Sequence, residues 1–206
     1  MPAGSPERTN ARKEEIINAC EQLYQTRSFK EITIKEIGQI TSCSRTSIYN
    51  YFETKEEIFL ALLKREYDAW IEALNQITQR HDILSKEDIA DAIAHSLDQR
   101  HQLLKILSMN HYDLEENSRL ELLTEFKVSY GNALHTVMAL LGKFLPDMDL
   151  SKQQEFVYAF FPFMFGIYPY TVVTEKQKQA MQAAGVDYIY PSLYALTKAA
   201  VLRLLS

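Results

Sequence analysis

Apolar residues recur along this chain at three- and four-residue intervals, and no stretch alternates apolar with polar one by one. That period predicts an all-α fold. The longest stripe joins Phe59, Leu63, Tyr67, Trp70, Leu74 and Ile77 on a helix that starts at Thr54 and spans roughly 35 Å at its ordinary rise. Before it, Ile16, Cys20 and Leu23, flanked by Ile17 and Tyr24, predict a first helix over residues 10–27, preceded by a disordered stretch at 1–9. After a break at 81–85 come a helix with Ile89, Ile93 and Leu97, a short apolar helix at 102–109 and a polar loop at 110–117. Leu123, Phe126, Tyr130, Leu134, Val137, Leu141 and Phe144 mark another long helix ending before Pro146. An aromatic helix opening at Ser151 follows, and a final helix past Gly185 carries Ile189, Leu193, Leu196, Ala200 and Leu204 on one face.

Residues 33–57 are the most informative part of the pattern. Thr33 and Glu36 form a capping box, each able to satisfy an orphan backbone donor of the helix carrying Ile34, Ile37 and Ile40. Thr41, Ser42 and Cys43 interrupt the period, and Ser44 is a good N-cap for a second short helix over 45–52. A second capping box, Thr54 with Glu57, launches the long helix, and a third, Ser118 with Glu121, opens a later one. Two short helices joined by a tight polar turn make a helix-turn-helix, whose second helix enters the DNA major groove.

The stretch resembles the DNA-binding domain of the TetR family of bacterial transcriptional regulators. The resemblance is carried by Thr33, Ile37, Gly38, Ser44, Ile48, Tyr49, Tyr51, Phe52, Lys55 and Phe59, together with Phe29 and the preceding helix. The family's turn is usually close to Ala-Gly-Val-Ser. Here it is Thr41, Ser42, Cys43 and Ser44, with Ser42 where glycine, tolerant of positive φ, is common. The resemblance implies about nine helices: three N-terminal ones that bind DNA, a long connecting fourth, and a C-terminal ligand-binding and dimerisation domain. The expected division is 1–53 and 54–206.

The recognition helix shows a polar face of Arg45, Thr46, Ser47, Tyr49 and Asn50 beside the Ser44 cap, while Ile48 and Phe52 turn inward. Arg45 can pair with guanine O6 and N7, Thr46 with a thymine methyl, and Asn50 with adenine or phosphate. Tyr49 and Tyr51 can donate phenolic hydrogen bonds to phosphate. Thr33 can offer its N–H or hydroxyl at a helix N-terminus. The resemblance adds Lys55 as a phosphate contact. The bland alternative for all of these is a solvated polar surface.

Net charge is −5, which changes meaning when divided: residues 1–55 hold eight basic and seven acidic side chains, and the remainder fourteen against twenty. Local placement of Arg8, Arg12, Lys13, Lys35, Arg45 and Lys55 therefore matters more than the total. Cys20 and Cys43 read as buried free thiols in a reducing cytoplasm. Residues 156–173 carry no charge, the length of a short membrane span. Pro162, Gly166 and Pro169 interrupt that stretch, so a helix buried in protein is the expectation and no membrane partner is.

Asp91 with His95, and Asp98 with His101, share helical faces. A di-metal bundle needs more inward carboxylates than this, so no metal, cofactor or catalytic residue is expected and the chain does not read as an enzyme. Tyr67, Trp70, Phe126, Tyr130, Phe163 and Tyr168 are the candidate effector-binding residues. Prolines kinking an aromatic helix leave room for a pocket between helices, although aromatic stripes also simply fill cores. The reading is a cytoplasmic homodimeric regulator, a repressor released from a palindromic double-stranded operator by a small apolar or aromatic effector. Its two recognition helices would sit about 34–36 Å apart. A DNA-binding activator, or a helical ligand-binding or metal-bundle enzyme, remains open from sequence alone.

Overall fold

The structure, a computed structural model, describes residues 6–206, without the side chains of 109 and 110. Ten α-helices follow in order: α1 (Pro6–Thr26), α2 (Ile34–Gln39), α3 (Arg45–Ile48), α4 (Lys55–Arg80), α5 (Lys86–Asp98), α6 (His101–Glu116), α7 (Leu120–Phe144), α8 (Leu150–Thr171), α9 (Glu175–Ala183) and α10 (Leu193–Leu204). A 3₁₀ turn, Phe29–Glu31, lies between α1 and α2. The all-α expectation holds. Residues 1–5 lie outside the described residues, whereas 6–9, expected to be disordered, begin α1. Among the described residues no single helix is long and apolar enough to cross a membrane.

Two compact units emerge: Met1–Arg65 with Asn110–Ser129, and Glu66–Met109 with Tyr130–Ser206. They do not coincide with the division 1–53 and 54–206, because the first turns of α4 and the corner between α6 and α7 pack with the helix-turn-helix. In unit one, Ile16, Cys20, Ile32, Ile37, Ile48, Phe52 and Phe59 form the core, each no more than 1% exposed. Tyr24 and Phe29 meet Phe59 edge-on at 4.9 and 4.8 Å. In unit two, the predicted stripe of α4 is buried at Tyr67, Trp70 and Leu74. There it joins Ile89, Ile93 and Leu97 of α5 and Phe160, Phe161 and Met164 of α8 in the core.

Several local expectations fail for identifiable reasons. Residues 110–116, read as a polar loop, continue α6, and Leu114 is fully buried seven residues after Leu107. The final helix starts only at Leu193, capped by Ser192, and Ile189 is 89% exposed in the segment before it. Its buried face is Leu193, Thr197 and Val201 rather than Leu196, Ala200 and Leu204. The aromatic helix begins at Leu150 with Asp149 rather than Ser151 as its cap, because the Asp149 carboxylate accepts from Lys152 N at 2.9 Å. Helix α9 went unread in the sequence. A Thr174–Gln177 capping box starts it, and Gly185 at φ +66° ends it. Ile40 is 45% exposed beyond the last turn of α2.

Candidate nucleic-acid interface

The capping box at α2 forms as expected, and it occupies the groups expected to face phosphate. Thr33 N–H and Oγ1 both donate to Glu36 Oε2, at 2.9 and 3.0 Å, while Glu36 N donates to Thr33 Oγ1 at 3.3 Å. Arg27 pairs with the other oxygen of Glu36 at 2.5 Å. Ser44 caps α3 by accepting from Ser47 N at 3.1 Å. Ser42 needs no left-handed backbone: among the described residues none but Gly185 has positive φ. The turn is instead strapped to α1. Ser42 N donates to Glu15 Oε1 at 2.5 Å, and Arg12 bonds both Glu15 and Ser42 Oγ. These Ser42 hydrogen bonds draw the Glu15 carboxyl below its usual range. Arg12, counted among the basic residues near DNA, is thereby tied to the turn while its side chain stays exposed.

Helix α3 has only four residues, and the turn at 49–51 carries its course onward. Ile48 and Phe52 sink into the core, which leaves Arg45, Thr46, Tyr49 and Asn50 exposed and Ser47 and Tyr51 half-buried. Arg45 lies over the Tyr49 ring, 5.8 Å from its centroid, with a weak 3.4 Å hydrogen bond to the phenol. Gly38 faces this helix closely: a Cβ there would stand 3.5 Å from Ile48 Cδ1. A planar cation and an aromatic ring side by side on an exposed face suit base edges and phosphates.

Lys55 differs from this set. Its ammonium donates to the carbonyl oxygens of Phe29 and Ile32, at 2.8 and 3.2 Å, and stands 4.0 Å from the Phe29 ring centroid. It closes the 3₁₀ turn onto α4. Sequence reasoning also missed the pairing of Glu57 with Arg119. Thr54 Oγ1 caps α4 at Glu57 N as expected, at 3.1 Å, but the Glu57 carboxylate turns to Glu53 N at 2.6 Å and to Arg119. The Ser118–Glu121 box does not form either; Ser118 Oγ is buried without a hydrogen-bond partner, and Arg119 N donates to Glu57 Oε1 at 3.1 Å. No local spacing announces a pair sixty-two residues apart.

Of the candidate effector residues, Tyr67, Trp70, Tyr130, Phe163 and Tyr168 fall in unit two, and Phe126 falls in unit one. Tyr67 and Tyr130 meet edge-on at 5.8 Å, Tyr130 and Phe161 at 5.5 Å, and Trp70 and Phe161 lie 5.9 Å apart. Phe163 stacks on Phe160 at 6.1 Å. Trp70 Nε1 donates to Ser96 Oγ at 3.0 Å, and Ser96 passes a bond to Ile93 O at 2.8 Å. Burial raises the Tyr168 phenol above its ordinary value. The rings thus pack one on another. Openings lie elsewhere in unit two: a cavity of about 350 Å³ between Pro169, Tyr170 and Val173 of the α8 end, Met181 of α9, and Tyr188 and Tyr190; and one of about 810 Å³ bounded by Phe144, Phe156 and Leu205 with Lys86, Lys152 and Arg203. Asp91, once a candidate ligand beside His95, accepts from Tyr194 and Lys198 and ties α5 to α10. Cys20 and Cys43 are buried free thiols, and burial pushes the Cys20 thiol well up.

Comparison with known proteins follows the same outline. Residues 16–62 match the family described as bacterial regulatory proteins, tetR family, and residues 64–205 match the tetracyclin repressor-like C-terminal domain. An uncharacterized HTH-type transcriptional regulator of Mycobacterium tuberculosis is 34% identical over 62 residues, which are 30% of this chain and 31% of that protein. The chain therefore spans about a third of the length of that relative. A TetR-family regulator from Mesorhizobium loti superposes with a TM-score of 0.60 at 14% identity, covering 96% of each chain. The Bacillus subtilis regulator FadR in complex with stearoyl-CoA superposes with a TM-score of 0.56 at 16% identity, covering 94% of this chain and 97% of that one.

Proposed function

The chain belongs to the TetR family of bacterial DNA-binding transcriptional regulators, and we propose that it works as a homodimeric repressor that an apolar effector releases from a palindromic operator. The observation that carries the DNA side is the face of α3. Arg45, Thr46, Tyr49 and Asn50 remain in solvent while Ile48 and Phe52 anchor the helix beneath them. A regulator of this kind works beside the chromosome, in the cytoplasm.

A second copy of the chain would account for the outer face of unit two. Tyr158, Pro162, Gly166 and Pro169 form an exposed apolar stripe on α8, and Ala195 and Ala199 form one on α10. Small residues and prolines at helical spacing allow close approach of a symmetry-related copy. Ala199→Asp would bury an unpaired charge in that contact without touching the monomer core. Light scattering should then report monomers, and an unchanged dimer would move the interface elsewhere.

Two observations support an apolar effector: the 350 Å³ cavity at the α8 end has a mostly apolar wall that includes Tyr170, Tyr188 and Tyr190, and the same fold in Bacillus subtilis FadR holds stearoyl-CoA. The test begins by selecting bound sequences from random DNA, where an inverted repeat is expected. Operator release by apolar and planar compounds is then followed by anisotropy, with Trp70 emission recorded in the same samples. Failure to enrich any sequence would remove the DNA reading, and enrichment without release by any compound would remove the effector.

A further inference from the structure

The corner between α6 and α7 is bonded to the segment that leaves the recognition helix. Arg119 Nε and Nη2 donate to the two oxygens of Glu57 at 2.6 and 2.9 Å, and Nη2 also donates to the carbonyl oxygen of Tyr51 at 3.1 Å. Its Nη1 lies 3.5 Å from Glu53. Two residues before it, the Asn117 carbonyl accepts from Thr54 Oγ1 at 3.0 Å. One corner therefore fastens the exit of α3 at Tyr51, the loop at Glu53 and Thr54, and the first turn of α4 at Glu57.

The arrangement is a built one. Glu57 is 1% exposed, and a carboxylate so placed needs its partners inside the protein. Burial opposes its charge, but the hydrogen bonds from Arg119 and from Glu53 N outweigh burial and leave the carboxyl below its usual range. A planar guanidinium grips a carboxylate in a fixed plane, which an ammonium cannot do. The recognition helix needs such a grip, because four residues are too few for a helix to hold its own course. Ile48 and Phe52 fix its inner side, and Arg119 fixes its end.

We infer that Arg119 is a positioning residue for DNA recognition, holding Tyr51 and Glu57 in one arrangement so that Arg45, Thr46 and Asn50 reach base edges together. It rests on the DNA-binding reading of α3. Arg119 Nε and Nη2 are taken up by Glu57 and the Tyr51 carbonyl, so the residue orients the reading side chains through the protein rather than by touching bases or phosphates.

The experiment compares wild-type protein with Arg119→Ala, Arg119→Lys and Arg45→Ala, well below their melting temperatures. The probes are the duplex selected by the wild type and a duplex of unrelated sequence, over a range of salt. Arg119→Ala should weaken binding to the selected duplex about tenfold, because the contacts to Glu57 and Tyr51 that hold the end of α3 are lost together. Its binding to unrelated DNA and its salt slope should match the wild type, since no phosphate contact is lost. Arg119→Lys should recover only part of the selectivity, and it carries the comparison if the alanine variant fails to fold. Unchanged selectivity in both variants would overturn the inference. Equal weakening on both duplexes, with the salt slope reduced by about one, would overturn it in favour of a direct phosphate contact. A wild type that selects no sequence at all would overturn the DNA reading itself, before any variant is compared.

Discussion

Unit one and unit two both bury aromatic rings, but the side chains singled out for function stand differently to those rings. In unit one the rings of Tyr24, Phe29 and Phe59 pack beneath a surface that keeps Arg45, Thr46, Tyr49 and Asn50 in solvent. In unit two the candidate side chains belong to the ring cluster itself, and Trp70 Nε1 turns inward to Ser96. Residues that read bases must remain outside, so composition at helical spacing separates them from the core. A ligand pocket and a core ask for the same rings, and spacing cannot tell them apart.

The largest test of that contrast is Trp70→Ala. Trp70 is fully buried, and its truncation should lower stability by about 3–5 kcal/mol in denaturant melts. A loss under about 1 kcal/mol would mean the cluster is looser than its contacts imply and has room for a ligand. Arg45→Ala should do the reverse, costing about 1–3 kcal/mol of operator affinity and relaxing base preference while the melting temperature stays put. Equal weakening on every sequence would reassign Arg45 to phosphate.

Lys55 lies between the two patterns, and Lys55→Met sharpens them. Two carbonyls lose their charged donor, so stability should fall by about 1–2 kcal/mol. If its third donor also reaches phosphate, the salt slope falls by about one. Stability loss with an unchanged slope would make it a strut alone.

The smallest effect concerns pH. The folded Glu57 carboxyl lies below its unfolded value, so its contribution is complete above about pH 4.3 and is lost as pH falls through the lower folded value. Acid titration followed by thermal melts should therefore cost the wild type more stability than Glu57→Gln. Parallel curves would show that the Arg119 contact does not hold the charged form.

The sequence by itself determined the all-α class, the family and the polar face of α3. Each rests on local repetition: apolar period, capping residues and a short run of spaced side chains. Thr33 with Glu36, and Ser44 with Ser47, formed as their spacing required, because a cap needs only its neighbours three residues on. Tertiary structure alone decided what Lys55, Arg12, Glu57 and Arg119 do. A charged side chain on a helix reads as solvated until another segment brings a carbonyl or carboxylate to it. It also decided that α6 runs on through residues 110–116 and that Ile189 stays in solvent. Local polarity favours neither outcome; what settles each is whether a distant apolar surface arrives to cover Leu114 and leaves Ile189 bare.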